Sequence, residues 1–130
     1  MKFGYTIVYV PDVPASLKFF NDAFGITMRF LHESNTYGEL ETGETALMFA
    51  GHALRDSNFR DGFVRADTSE KPLGIEIALV TENVGIAHGR ATFAGAREIS
   101  APTLKRWGET VSNVRCPDGK LVELCTPIVL

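Results

Sequence analysis

Tyr5-Thr6-Ile7-Val8-Tyr9-Val10-Pro11-Asp12-Val13, with the run that carries it on to Gly25, decides the fold. Every residue from Tyr5 to Val10 is β-branched or aromatic, which predicts a strand. Pro11-Asp12 ends it. Pro14 then opens a helix, because a proline loses no hydrogen bond in the first turn. Leu17, Phe20 and Phe24 recur at i, i+3 and i+7 and so share one helical face. Gly25 stands where a helix takes a left-handed residue, which bounds the helix at Pro14–Phe24. Three strand-like stretches follow, Thr27–His32, Tyr37–Glu41 and Thr45–Ala50. Thr42-Gly43-Glu44 makes a tight turn between the last two.

The same order then returns. Ile75–Val80 is a β-rich run, Asn83 is an N-cap for a helix over Val84–Ala94, and Gly95 ends that helix as Gly25 ended the first. Glu98–Ser100 and Thr110–Arg115 read as strands. Pro117-Asp118-Gly119-Lys120 is a turn, and Leu121–Thr126 is the last strand. Val13 matches Val84 at an offset of 71, Gly25 matches Gly95 at 70, and Gly43 matches Gly119 at 76. An internal repeat of this kind has to be recognised before a fold is assigned. The prediction is an α+β protein of two βαβββ modules that form a curved eight-stranded mixed sheet, helices outside and a cleft inside. One domain covers 1–130, with module 1 at about 3–50, a connector at 51–72 and module 2 at about 73–127. The connector carries charges of both signs with poor periodicity, plus a short helical turn near Ala53. Phe59 and Phe63 are apolar residues within it, placed to pack over a pocket or at a subunit seam. A connector of this length is usually functional or mobile.

Composition narrows the function. The 130 residues are 45% apolar and 22% charged, near the globular average. Thirteen basic against sixteen acidic residues give a net charge of −3, which lacks the footprint of a nucleic-acid binder. No apolar run reaches the length of a membrane span. Met1–Asp12 does not read as a signal peptide. Cys116 and Cys125 lie nine apart without CxxC spacing and read as reduced core thiols. A cytoplasmic protein is expected.

The opening motif just quoted, the helix end Phe19-Phe20-Asn21-Asp22-Ala23-Phe24-Gly25 and the closing Pro117-Asp118-Gly119-Lys120-Leu121-Val122-Glu123-Leu124 together resemble the vicinal oxygen chelate superfamily. That group includes glyoxalase I, bleomycin-resistance proteins, fosfomycin-resistance enzymes and extradiol dioxygenases. The resemblance covers about residues 3–127, and the run from Lys105 to Val111 is similar to small stand-alone bacterial members. It implies a divalent-metal site with four inward-facing ligands on the first and last strand of each module. Here those positions fall on Tyr5, Glu76, Glu123 and one of Leu47, Met48 and Phe49. Glu76 and Glu123 are competent oxygen ligands. A phenol is a poor one at neutral pH, and Met48 suits only a soft metal. No tightly bound cofactor is therefore expected, and a divalent metal would be held weakly by Glu76 and Glu123.

Strand alternation assigns faces without the family. Glu76, Ala78 and Val80 share one face, as do Leu121, Glu123 and Cys125, and Tyr5, Ile7 and Tyr9. Ile75, Ile77, Leu79, Val122 and Leu124 face the helix side. The cleft would hold Tyr5, Tyr9, Met48, Glu76 and Glu123, with Phe59 from the connector. Trp107, in a loop, caps a ligand or plugs the adjacent module. His52 is a further candidate, whereas His88 and His32 read as surface residues. Two nearby carboxylates repel, so a metal, a cationic ligand or an arginine such as Arg106 or Arg115 must compensate. The first reading is a homodimeric, glyoxalase/bleomycin-resistance-like protein that binds a small amphipathic or cationic molecule in this cleft. The alternative is a divalent-metal-dependent lyase resembling lactoylglutathione lyase, or a related transferase or dioxygenase, with Glu123 moving a proton. A third reading is a dimeric module with a vestigial cleft.

Overall fold

The computed structural model describes residues 1–56 and 59–128. Strand β1 (Tyr5–Val10) stops at Pro11, and the Asp12 carboxylate accepts the Ala15 amide at 3.1 Å to cap helix α1 (Val13–Phe24). Gly25, at φ 70°, closes α1 in the left-handed conformation its lack of Cβ permits. Strands β2 (Met28–Leu31), β3 (Tyr37–Leu40) and β4 (Ala46–Gly51) complete the first module. The short helix α2 (His52–Asp56) opens the connector, in which Ser57 and Asn58 lie outside the described residues. The second module repeats the plan with β5 (Glu76–Val80), α3 (Val84–Ala94), β6 (Arg97–Leu104), β7 (Thr110–Arg115) and β8 (Leu121–Cys125). The Asn83 side chain caps α3 by accepting the Ile86 amide at 3.0 Å.

The fold class is as expected, with the eight strands arranged as two mixed sheets of four. The orders are β1-β4-β3-β2 and β5-β8-β7-β6, and each sheet holds one parallel pair, β1/β4 or β5/β8. Among the described residues no ladder joins β1 to β5, so each presents a free edge. The repeat is thus real at the level of topology as well as of sequence. Strand β6 runs from Arg97 to Leu104 rather than over Glu98–Ser100 alone. It is the edge of its sheet, exposed along its whole length, and accommodates Pro102 and two register shifts. An edge tolerates both.

One apolar cluster serves both modules. Val13, Leu17, Phe20, Leu40 and Phe49 from the first pack with Val84, Ala91, Val114, Val122 and Leu124 from the second. Phe20 sets its ring edge against Phe24 and Phe49 at 4.9 and 5.4 Å. The helices touch, and Arg90 of α3 donates to the Asp22 and Asn21 carbonyls at the C-terminal end of α1, where a cation is favoured.

The tightest join is the turn Pro117–Lys120. Asp118 accepts from the Ser16 hydroxyl of α1 at 2.7 Å and pairs with Lys120. The Lys120 ammonium lies 4.3 Å from the Phe49 ring centre and 4.9 Å from that of Phe20. Gly119, at φ 95°, runs so close to the connector that a Cβ would sit 1.9 Å from the Ala66 carbonyl oxygen. Its counterpart in the first module, Gly43, has φ 72° but nothing within 4 Å of a Cβ. Cys116 and Cys125 are buried and unpaired. Burial pushes the Cys116 thiol up to about 12, against the pull of Lys120, so it is an inert core residue.

Candidate functional site

Glu76 and Glu123 do meet. They lie on neighbouring parallel strands, Ala78 pairing with Glu123 and Glu76 with Leu121, so alternation puts both carboxylates on the face away from the helices. Asn113 pairs with Glu123 across β7 and donates its amide to Glu76 Oε2 at 3.0 Å. The Glu123 carboxyl is held above the ordinary range, first by burial and then by the charges of Glu76 and Glu109. A hydrogen bond with Cys125 and the charge of Lys105 pull the other way. Asn113 and Glu109 were absent from the sequence reading. The period-two pattern of Thr110–Arg115 would have found Asn113 once its register with β8 was known.

The first-module residues form a separate group. Ile7 pairs with Met48 and Met48 with Glu39, which settles Met48 as the residue of the fourth strand that shares the face of Tyr5, Ile7 and Tyr9. Tyr5 is 58% exposed. The Tyr9 ring packs against Phe63 and Phe59 of the connector, at 4.9 and 5.9 Å between centres. Among the described residues the contacts of Glu76 and Glu123 are to second-module residues.

Several expectations need correction. Arg115 does not compensate the glutamates. Its guanidinium is spent on the connector, donating to the carbonyls of Ala66 and Ser69 at 2.9 Å, of Gly119 at 3.0 Å and of Glu70 at 3.3 Å. His88 is buried, not on the surface. It lies between helix and sheet, with Nδ1 against the Ser112 hydroxyl at 2.9 Å and Nε2 against Glu98 at 2.7 Å. Ser112 is fully buried, so this chain of polar groups ties α3 to β6 and β7 and offers no nucleophile. Ile75 is not beneath the helix but 75% exposed, just ahead of β5. Trp107 is 69% exposed, its indole N–H donating to Glu109 at 2.9 Å, and therefore plugs nothing within this chain. His32 is half-buried and stacks on Tyr37 at 4.7 Å. His52 is buried beside Asp67.

The donor set does not fit a tightly held catalytic metal. Two of the four family positions are a tyrosine and a methionine, and Glu76 is already engaged by Asn113. Among the described residues no three His, Cys, Asp or Glu side chains converge. Glu123 instead sits half-buried beside Glu76 and Glu109, opposed in part by Lys105 and Cys125, and this has a measurable signature. A raised carboxyl favours the folded state only while protonated. That contribution is whole below the unfolded value of 4.5 and is lost as pH rises through the folded value. Glu123→Gln is therefore expected to be more stable than the parent at neutral pH, with the difference closing below pH 4.5. Urea midpoints taken across pH check this, and a pH-independent difference would refute it.

The sequence matches the profile of the Glyoxalase/Bleomycin resistance protein/Dioxygenase superfamily over residues 2–124. Among solved structures, a glyoxalase-related enzyme from Fulvimarina pelagi superposes with a TM-score of 0.81 at 16% identity, over 98% of this chain and 88% of that one. A glyoxalase/bleomycin resistance protein/dioxygenase family enzyme from Burkholderia phytofirmans PsJN gives 0.76 at 20% identity, over 97% and 98%. A superfamily member from Sphaerobacter thermophilus gives 0.72 at 19%, over 98% of each chain. No curated protein matches in sequence. Likeness at these identities speaks for the fold, and among the described residues no helix is long and apolar enough to cross a membrane. With the duplicated βαβββ topology and a profile match over nearly the whole length, the chain belongs to the Glyoxalase/Bleomycin resistance protein/Dioxygenase superfamily.

Proposed function

We propose that the protein binds a small amphipathic or cationic molecule in a cleft with an acidic wall, Glu76 and Glu123, and an aromatic wall, Tyr5 and Tyr9 with Met48 and Phe59, the two walls coming from two copies of the chain. The observation that carries this reading is the shared face of Glu76 and Glu123 on adjoining parallel strands, with Arg115 committed elsewhere and the Glu123 carboxyl raised by burial and then by its acidic neighbours. A cation between the walls relieves that potential, and an aromatic face opposite it adds cation–π attraction. Trp107, exposed on its loop beside Glu109, is available as a cap.

Support for a second copy comes from the surface. The chain exposes 8,338 Å², against about 6,800 Å² for a compact monomer of this mass. The difference is of the order that a stable dimer removes from each subunit. The lyase reading requires donors that Tyr5 and Met48 do not supply.

Benzyltrimethylammonium, a cationic aromatic probe, tests the proposal by calorimetric titration of the dimer fraction. Affinity is expected to rise as pH increases through the Glu123 titration, since the ionised carboxylate attracts the probe. The Glu76→Gln/Glu123→Gln pair is expected to weaken binding by roughly tenfold or more. Binding indifferent to both pH and the double substitution would refute the acidic wall. Sedimentation as a 14.3 kDa species at micromolar concentration would refute the two-copy cleft.

A further inference from the structure

Behind the aromatic connector lies a polar pair with nothing to bond to. His52 is 4% exposed, and among the described residues neither ring nitrogen has a hydrogen-bond partner. Asp67 Oδ1 is buried and equally unpartnered. The two face each other at 3.8 Å from Nε2 to Oδ1, too far for a hydrogen bond. A buried polar atom left in this state forfeits its hydration with no return, which native proteins rarely carry without a purpose.

Next to this pair is a cavity of about 290 Å³ between the free edge of β1 and the start of the second module. Its walls are almost wholly apolar, with Ile7, Val8, Tyr9, Phe63, Leu73 and Ile77 among them. Neither Glu76 nor Glu123 lines it, although it shares Tyr9 with the proposed aromatic wall. A dry cavity of about 150 Å³ already holds a benzene ring, so this one holds a ring with a substituent. Phe63 is the partition. It lines the cavity, its ring packs against Tyr9 and Phe59, and it also meets the His52 imidazole at 5.6 Å between centres. Ala66, the residue before Asp67, also lines the cavity.

We propose that this cavity and the His52–Asp67 pair are one binding site for a small neutral molecule with an apolar ring or chain and a hydroxyl group. The apolar part fills the space beside Tyr9, Phe63 turns aside, and the hydroxyl enters between the two polar side chains. A hydroxyl both donates and accepts. It donates to Asp67 Oδ1 and accepts from the Nε2–H of the imidazole, giving each side chain one partner and leaving Nδ1 as the ring nitrogen still without one among the described residues. An ammonium would satisfy them too, but its charge would have to leave water for an apolar chamber. Arg115 holds the Asp67 side of the site still, through the carbonyls of Ala66 and Ser69.

Phenol and its methyl counterpart toluene test the proposal on the intact protein by calorimetry. Phenol is expected to bind about tenfold more tightly, because only it repairs the polar pair. Phe63→Ala is expected to strengthen phenol binding by opening the partition. Asp67→Leu is expected to retain toluene and bring the ratio close to one. The Glu76→Gln/Glu123→Gln pair is expected to leave the ratio unchanged, which separates this site from the acidic wall. Equal affinities in both the parent and Phe63→Ala, or binding of neither compound, would mean that water alone serves the pair, and the proposal would fall. Loss of the phenol preference in the double glutamine variant would also overturn it.

Discussion

Gly119→Ala is expected to destabilise the protein by on the order of 4 kcal/mol. Two effects add. Gly119 sits at φ 95°, where an L side chain is strained. An added Cβ would also lie 1.9 Å from the Ala66 carbonyl oxygen, 2.2 Å from its carbon and 2.6 Å from the Asp67 nitrogen, all backbone atoms that no rotamer change can move. Relief requires the connector to lift, and Arg115 holds that connector through the same Ala66 carbonyl. The collision therefore strains the clamp, and it displaces Asp67 from His52. Urea unfolding of the variant checks the size of the loss. A change below about 1 kcal/mol would mean that the connector does not pack on the turn as described.

Lys120→Met is expected to cost about 3–5 kcal/mol, the usual loss when one partner of a buried ion pair is removed. The Lys120 and Asp118 side chains are both buried, and the ammonium rests over two aromatic faces. Methionine fills the same space, so the loss measures charge rather than volume. What remains is an ionised Asp118 supported by the Ser16 hydroxyl and a long amide contact. The Lys120→Met/Asp118→Asn protein is expected to recover most of the deficit, because the uncompensated charge has gone. A double-mutant cycle reads this as a coupling of about 2 kcal/mol or more. Additive losses would show that the two groups are independent. Functional consequences follow, since Lys120 immediately precedes β8 and that strand carries Glu123.

Much of this architecture was legible in the sequence, because the helix limits depend on local chemistry. Pro14 and Gly25 around the first helix, and Asn83 and Gly95 around the second, act on their own neighbours, and the helices lie within one residue of where those residues put them, Asp12 being the cap that was not read. The shared face of Glu76 and Glu123 was legible for a similar reason, since period two needs only the strand. Strand β6 hid five of its eight residues because an exposed edge with a proline and register shifts carries no alternation. Arg115 hid its role because its connector partners are backbone carbonyls 45 to 49 residues away, and carbonyls leave no mark on residue identity. His88 was misplaced because α3 is apolar nearly all round. With Ile86 and Phe93 exposed, composition alone does not say which side of the helix is buried. The His52–Asp67 pair was invisible as a pair, since its members stand fifteen positions apart in a connector whose sequence has poor periodicity.

The contrast between Gly43 and Gly119 makes the two halves unequal to a protein engineer. The first hairpin tip is a permissive junction, with open space around it, where an epitope, a reporter domain or the new termini of a circular permutant can be accommodated. The equivalent tip of the second half is a keystone: a scission there would take apart the surroundings of Phe20, Phe49 and Ala66 together, so a split version of this protein should be cut at residue 43 and left whole at 119.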